Sequence, residues 1–359
     1  MNISSPSHIY PTFTKPEIVG YMSVDVSRQY HSDLSQLKYL TVIPNGRIAL
    51  DLNYGIEKAV KRTTDNNNEQ IVLLLKFLLD KRPALPTNSF EPMFITYRRT
   101  LISVMCSAFC NKDCLHIAAT LYNNNVYLCS LETPQDVQKR LSRSLQEIKF
   151  CAWGYKFEQF MLSDLPNLKP DIDKPVIENE EFSIFYRAMF GKHNLLYGAQ
   201  IDGLLATTEN VSGPPKMANN EENINYLKNN EFIELKTNRE ICNRRQEQNF
   251  KKYKLLRCWC QCYLAGLKGL LVGFRNDDGI IQRTQWFDTE ELVTYCKGEW
   301  SPQTALSFLD YFLSFVNNCF HSQTNNHGPV SLQLEVNGSD IKVTKKFNGT
   351  DILPDWYLQ

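Results

Sequence analysis

The sequence has no long apolar run. The longest, Ile71 to Leu79, is broken by Lys76, whereas a bilayer-crossing helix needs about 20 predominantly apolar residues, so no membrane span is expected. Met1 to Pro6 lack a basic-then-apolar leader pattern, and the expectation is an intracellular protein. Neither charge is in surplus, with 39 basic and 39 acidic residues. This excludes a polycation that coats nucleic acid over its whole surface, so any nucleic-acid site has to be local. The 6 histidines form no His-x-x-His or His-Glu-x-x-His pair. The clusters Cys106, Cys110, Cys114 and Cys258, Cys260, Cys262 lack paired Cys-x-x-Cys spacing, which argues against zinc. An odd total of 11 cysteines suits free thiols in a reducing compartment. The P-loop pattern and the Gly-x-Ser-x-Gly elbow are both missing, which removes the main signals for nucleotide hydrolysis through a P-loop and for serine esterase chemistry. No Pro/Gly/Ser-rich linker interrupts the apolar runs. Although 359 residues allow two domains, one large domain is expected.

What the chain does contain is a set of acids that strand geometry brings together. Side chains two residues apart on a β-strand share a face, so Glu234 and Lys236 project together from the apolar run 231–237. The same period pairs Gln200 with Asp202 in the run from Asn194 to Leu205, read as one strand. Buried acids on adjoining strands raise each other's pKa unless a cation lies between them, and Mg²⁺ or Mn²⁺ prefers all-oxygen ligands. A lysine beside such metals can hold a phosphate oxygen or the attacking water. The pattern points to a metal-dependent phosphodiester-cleaving site. Upstream, Gln135 to Met161 reads as one amphipathic helix with Glu158 near its end, where Trp153, Tyr155, Phe157 and Phe160 indicate a buried setting. Gly154 is expected to permit close backbone approach there.

A basic span follows the Glu-x-Lys strand, with Lys236, Arg239, Arg244, Arg245, Lys251, Lys252, Lys254 and Arg257 set against Glu240 and Glu247. On a helix from Phe250 to Leu264, Lys254, Arg257 and Gln261 share one face, a polar stripe suited to a phosphate backbone. Strands over 269–274 and 280–287 meet at the turn Asn276-Asp277-Asp278-Gly279, and a second hairpin from Val330 to Phe347 turns at Asn337-Gly338. Asp288 with Glu291 offers a capping box for the next helix, and Pro302 opens another whose aromatic stripe through Phe308, Phe312 and Phe315 faces a core. Residues 63–70 and 209–230, polar and Asn-rich, read as mobile loops, the second a neutral insertion rather than a gate. The fold class is α/β, a mixed β-sheet core flanked by helices.

Six segments in order carry a more specific signal. They are Pro16-Glu17-Ile18-Val19-Gly20-Tyr21 with Asp25, Arg28 and Tyr30; Ile95-Thr96-Tyr97-Arg98; Gly154-Tyr155-Lys156-Phe157-Glu158; Gln200-Ile201-Asp202; Glu234-Leu235-Lys236; and the stretches 254–261 and 272–275. This series resembles the DXO family of RNA 5′-end decapping nucleases, which includes the fungal partner of the nuclear 5′→3′ exoribonuclease. The resemblance implies a metal-dependent hydrolase that removes pyrophosphate, incomplete caps or nucleotide-cofactor caps from RNA 5′ ends, with 5′→3′ exoribonuclease activity in addition. It further implies one or two Mg²⁺ or Mn²⁺ ions held by Glu158, Asp202, Glu234 and the Leu235 carbonyl. By the same resemblance, Lys236 and Gln261 hold the scissile phosphate or the nucleophile and Arg98 holds the RNA backbone; the polar stripe adds the expectation that Lys254 and Arg257 line the RNA path. A nuclear location is implied, with the cytoplasm as the alternative.

Gln200 departs from the family's Glu-x-Asp, keeping the ligand's shape without its charge. Lower activity is expected. Two explanations are open, a natural retreat toward a non-catalytic stabilising subunit of the exoribonuclease or an engineered isostere. The second is favoured, because every other motif residue is kept.

Overall fold

In a computed structural model of the chain, which describes residues 11–62, 69–81, 93–110, 114–207, 211–215, 219–321 and 328–359, the apolar runs become the strands of two sheets. The N-terminal part contributes β1 (Glu17–Val24), β2 (Tyr30–His31), β3 (Tyr39–Leu40) and β4 (Leu50–Asp51), followed by α1 (Val72–Lys81), β5 (Met93–Tyr97) and α2 (Arg98–Ser107). Next come β6 (Leu115–Tyr122), β7 (Asn125–Leu131), α3 (Pro134–Leu141), α4 (Leu145–Met161) and β8 (Leu162–Ser163). The central part holds β9 (Glu181–Phe190), β10 (His193–Gln200), β11 (Gly203–Leu205), α5 (Asn220–Lys228) and β12 (Phe232–Arg239). Then follow α6 (Arg244–Asn249), α7 (Leu256–Ala265), β13 (Gly269–Arg275), β14 (Ile280–Asp288), α8 (Glu291–Tyr295) and α9 (Pro302–Phe320). The chain closes with β15 (Val330–Asn337), β16 (Asp340–Asn348) and α10 (Asp355–Leu358).

One sheet runs β16-β15-β6-β7-β5-β10-β9-β1-β2, the other β4-β14-β13-β12-β11-β3-β8. Both mix parallel and antiparallel pairs, as the α/β reading requires. Helices α2, α7 and α9 share one apolar cluster with residues of both sheets, including Leu195, Leu270, Val272, Leu309 and Phe312. A second cluster joins α1 and α10 to the first sheet through Phe77, Phe185 and Tyr357, and a third joins α4 to the second sheet through Trp153, Phe157, Ile233 and Leu235. Both expected hairpins form. All 11 cysteines are free thiols, with Cys258, Cys260 and Cys262 buried in α7. Among the described residues no helix is long and apolar enough to cross a membrane.

Several expectations are corrected. The run from Asn194 to Leu205 is not one strand but two, one in each sheet. β10 ends at Gln200, and β11 begins at Gly203, where a Cβ would lie 2.6 Å from Leu162. Asp202 sits in this crossing. The stretch from Gln135 to Met161 is also broken, because Ser144 and Glu147 form a capping box that starts α4 afresh after α3. Gly154 serves no close approach, since a Cβ there would meet nothing within 4 Å. The helix expected from Phe250 starts earlier, at Arg244, and contains a π-helical turn over Phe250–Leu255. Asp288 caps nothing, because it still pairs with Gly269 as the last residue of β14, and α8 starts without a side-chain cap. Within 209–230 the loop gives way to α5, started by an Asn219–Glu222 capping box and anchored by buried Leu227. Of the other expected loop, 63–68 lies outside the described residues.

Candidate active site

β12 lies between β11 and β13, so its residues are buried unless they face a cleft. Glu234 is 1% exposed. As the two-residue period requires, Lys236 projects beside it, and the Lys236 Nζ donates to Glu234 Oε1 at 2.5 Å and to the Leu235 carbonyl at 2.9 Å. The same ammonium lies 3.5 Å from Asp202 Oδ2. That oxygen also accepts the Leu235 backbone N–H at 2.7 Å, which ties the sheet crossing to β12. Gln261 of α7 donates its side-chain amide to Glu234 Oε1 at 2.8 Å.

Arg98, the first residue of α2, occupies the other side of Glu234. Its guanidinium donates to the Gln261 and Gln200 carbonyls at 2.8 and 2.7 Å and lies 3.4 Å from Glu234 Oε2. It is 5% exposed. These contacts tie the start of α2 to Glu234, α7 and the end of β10.

The electrostatics follow from burial and crowding. Burial, then the charges of Asp202 and Glu234, push the Glu158 carboxyl up to about 8 against the pull of Lys236. Burial and the Glu234 charge raise Asp202 to about 6. Burial also opposes ionisation of Glu234, but the adjacent Lys236 and Arg98 outweigh it and hold this carboxyl below its usual range. Near neutral pH the cluster therefore holds an ionised Glu234 and a protonated Glu158 around a fixed ammonium.

Gln200 sits exposed at the end of β10, and its side-chain amide makes no hydrogen bond among the described residues; only its carbonyl is engaged, by Arg98. Lys254 lies in the π-helical turn and donates to the Thr237 carbonyl on β12, while Arg257 is exposed on α7. The structure thus brings together Glu158, Asp202, Glu234, Leu235, Lys236 and Gln261. Arg257 is exposed on α7, one turn before Gln261.

The oxygens of Asp202, Glu234 and Leu235 converge on a point that already holds positive charge. The donor set is hard and oxygen-only, which fits Mg²⁺ or Mn²⁺. Among the described residues no three His, Cys, Asp or Glu side chains close into a cage by themselves; the Leu235 carbonyl would have to be one of the ligands of a bound ion. Sequence reasoning gave no role to Arg275, the last residue of β13. The available signal was a cation ending a strand that is buried along its whole length.

Among known proteins, the chain is 28% identical to the decapping and exoribonuclease protein Rai1 of Drosophila melanogaster, over 97% of this chain and 92% of that one. It is 29% identical to the decapping and exoribonuclease protein of Bos taurus, over 98% and 86%. Its fold is similar to that of Scheffersomyces stipitis Rai1, with a TM-score of 0.78 at 18% identity over 99% and 98% of the two chains. It is also similar to Candida albicans Rai1 in complex with pU5-Mn²⁺, with a TM-score of 0.76 at 18% identity over 97% and 95%. The description of the RAI1-like PD-(D/E)XK nucleases matches residues 14–358, and with that span covering every element of the site the chain belongs to this family.

Proposed function

We propose that the protein is a divalent-metal-dependent hydrolase of RNA 5′ ends, which removes pyrophosphate or a non-canonical cap and then degrades the exposed strand. The observation that carries this reading is the Lys236 ammonium seated among Asp202, Glu234 and the Leu235 carbonyl. A purely structural role gives no reason to bury two acids and a backbone carbonyl around one lysine.

Glu158, Asp202, Glu234 and the Leu235 carbonyl would hold one or two Mg²⁺ or Mn²⁺ ions, with Gln200 able to add only a neutral carbonyl. When bound, such an ion lowers the pKa of an attacking water and neutralises charge on the phosphate. Arg98 keeps Glu234 aimed at the cleft from behind. Glu158 would have to lose its proton to the solvent to serve as a ligand. Lys236, with its side chain 29% exposed, turns from the carboxylates to a phosphate oxygen and stabilises the charge that develops there.

Relatives held with pU5-Mn²⁺ and with 3′-FADP support a 5′-phosphorylated strand and a nucleotide-cofactor end as the substrate classes to try. The test is single-turnover release of the 5′ group from triphosphorylated, incompletely capped and nucleotide-cofactor-capped RNA, with and without Mn²⁺. Metal-dependent release that disappears in Glu234→Ala is expected; no release from any of the three overturns the reading. Nuclear location and association with the 5′→3′ exoribonuclease belong to the same proposal, checked by imaging and co-purification.

A further inference from the structure

A second group of cations lies at the carboxyl ends of the parallel strands β12 and β13. The strands end in Arg239 and Arg275, which are directly paired in register. Like charges so placed repel. A cavity of about 610 Å³ opens beside them, lined by Arg239, Lys254 and Arg275 together with Asp277 and Phe150. The single acid is taken, since Asp277 pairs with Arg239 at 2.5 Å. Arg275 is 8% exposed and lies over the rings of Phe150 and Trp153, 4.4 and 4.6 Å from their centroids. It donates to the Asn276 carbonyl at 3.1 Å, and no carboxylate pairs with it among the described residues. A guanidinium has five N–H donors, so most of this one's donors remain for a ligand in the cavity. Lys254, which bridges this cavity and β12, likewise has no acid beside it and is within electrostatic range of both Lys236 and Arg275.

We propose that this cavity is a phosphate subsite, occupied by a backbone phosphate of the RNA substrate other than the scissile one, with Arg275 as its main ligand and Lys254 and Arg239 beside it. The inference rests on the RNA reading above and extends it along β12. Lys236 and Arg239 are three residues apart on that strand and so face opposite sides of the sheet; Lys254, which lines the cavity and lies within electrostatic range of Lys236, joins the two places. The crevice at the carboxyl ends of parallel strands is a recurrent ligand position in α/β sheets. The Phe150 ring, 39% exposed on the cavity wall, adds an apolar face against which a base can stack.

The test compares binding of a 5′-phosphorylated dinucleotide and a pentanucleotide, in Ca²⁺ and over a range of salt, for the protein, Arg275→Gln and Arg239→Gln. The protein should bind the longer RNA more tightly. In Arg275→Gln this gain should fall on the order of 10-fold, the loss expected for one charge-assisted contact, and the salt slope for the pentanucleotide should drop by about 0.7. Arg239→Gln, altered at an exposed rim position, should move both readouts the same way by less, and decides the matter should Arg275→Gln fail to fold. A length gain and salt slope unchanged in the folded variants overturn the subsite, as does a protein that binds the dinucleotide with no gain for the pentanucleotide; in both cases the 5′-end hydrolase stands. If the protein neither binds nor cleaves RNA, both readings fall together.

Discussion

Arg98 and Lys236 hold opposite oxygens of one carboxylate, the guanidinium 3.4 Å from Glu234 Oε2 and the ammonium 2.5 Å from Oε1. The two cations differ in access. Arg98 is buried, with its side chain 6% exposed, whereas that of Lys236 is 29% exposed. The inner cation is expected to position the acid, and the outer one to change partners.

For Arg98→Met, the main effect should be lost stability. Removing one partner of a buried pair costs about 3 kcal/mol or more, and here the Gln200 and Gln261 carbonyls lose a donor as well. Urea unfolding should record this. A variant of unchanged stability whose only defect is weaker RNA binding would return Arg98 to the RNA-contact role.

Lys236→Met should leave the fold in place and lower single-turnover cleavage by about 10²-fold or more, as for loss of a preorganised charge stabiliser. With the competing ammonium gone, the rise in melting temperature on adding Mn²⁺ should grow. An equal or smaller rise would show that lysine and metal do not share the same oxygens.

The pH dependence has a definite sign. Glu158 and Asp202 are raised in the folded protein, to about 8 and about 6. The folded state therefore binds more protons than the unfolded chain between the ordinary carboxylate values and these. The stability they contribute is full at low pH and lost as pH rises through about 6 and then about 8. The metal-free protein should melt at progressively lower temperature over that window, and Glu158→Gln should flatten the upper part. Mn²⁺ binding should release protons at neutral pH, by close to one fewer in Glu158→Gln, measured by titration calorimetry in buffers of different ionisation enthalpy. Equal proton release from the two proteins would remove Glu158 from the ligand set.

Gln200→Glu should tighten Mn²⁺ binding and raise cleavage by about 10²-fold, roughly 2.7 kcal/mol of transition-state stabilisation. Its side chain is exposed and unengaged at the end of β10, so a carboxylate there gains freedom to coordinate without breaking an existing hydrogen bond. Identical rates for the two proteins would mean that this position is not a ligand.

Local rules made some of this legible in the amino-acid order alone. A period of two places Glu234 and Lys236 on one face whatever surrounds β12, and turn residues mark the hairpins at Gly279 and Gly338, which both take positive φ. Where two local signals competed, sequence reasoning chose wrongly. The Ser144–Glu147 and Asn219–Glu222 capping boxes were written in the chain but overridden by apolar periodicity in one case and polar composition in the other.

What no periodicity could supply is the meeting of distant segments. Asp202 becomes a site residue because the chain leaves one sheet at Gln200 and enters the other at Gly203, and Glu158 because α4 packs on β12. Arg98 lies 136 residues from Glu234 in the chain. As a residue type it suits RNA contact; its burial beside the carbonyls of Gln200 and Gln261 and the carboxylate of Glu234 is visible only in the fold. Local propensity acts over a few residues, whereas burial and charge pairing depend on which surfaces the fold presses together, and those decided which of the predicted residues face the cleft.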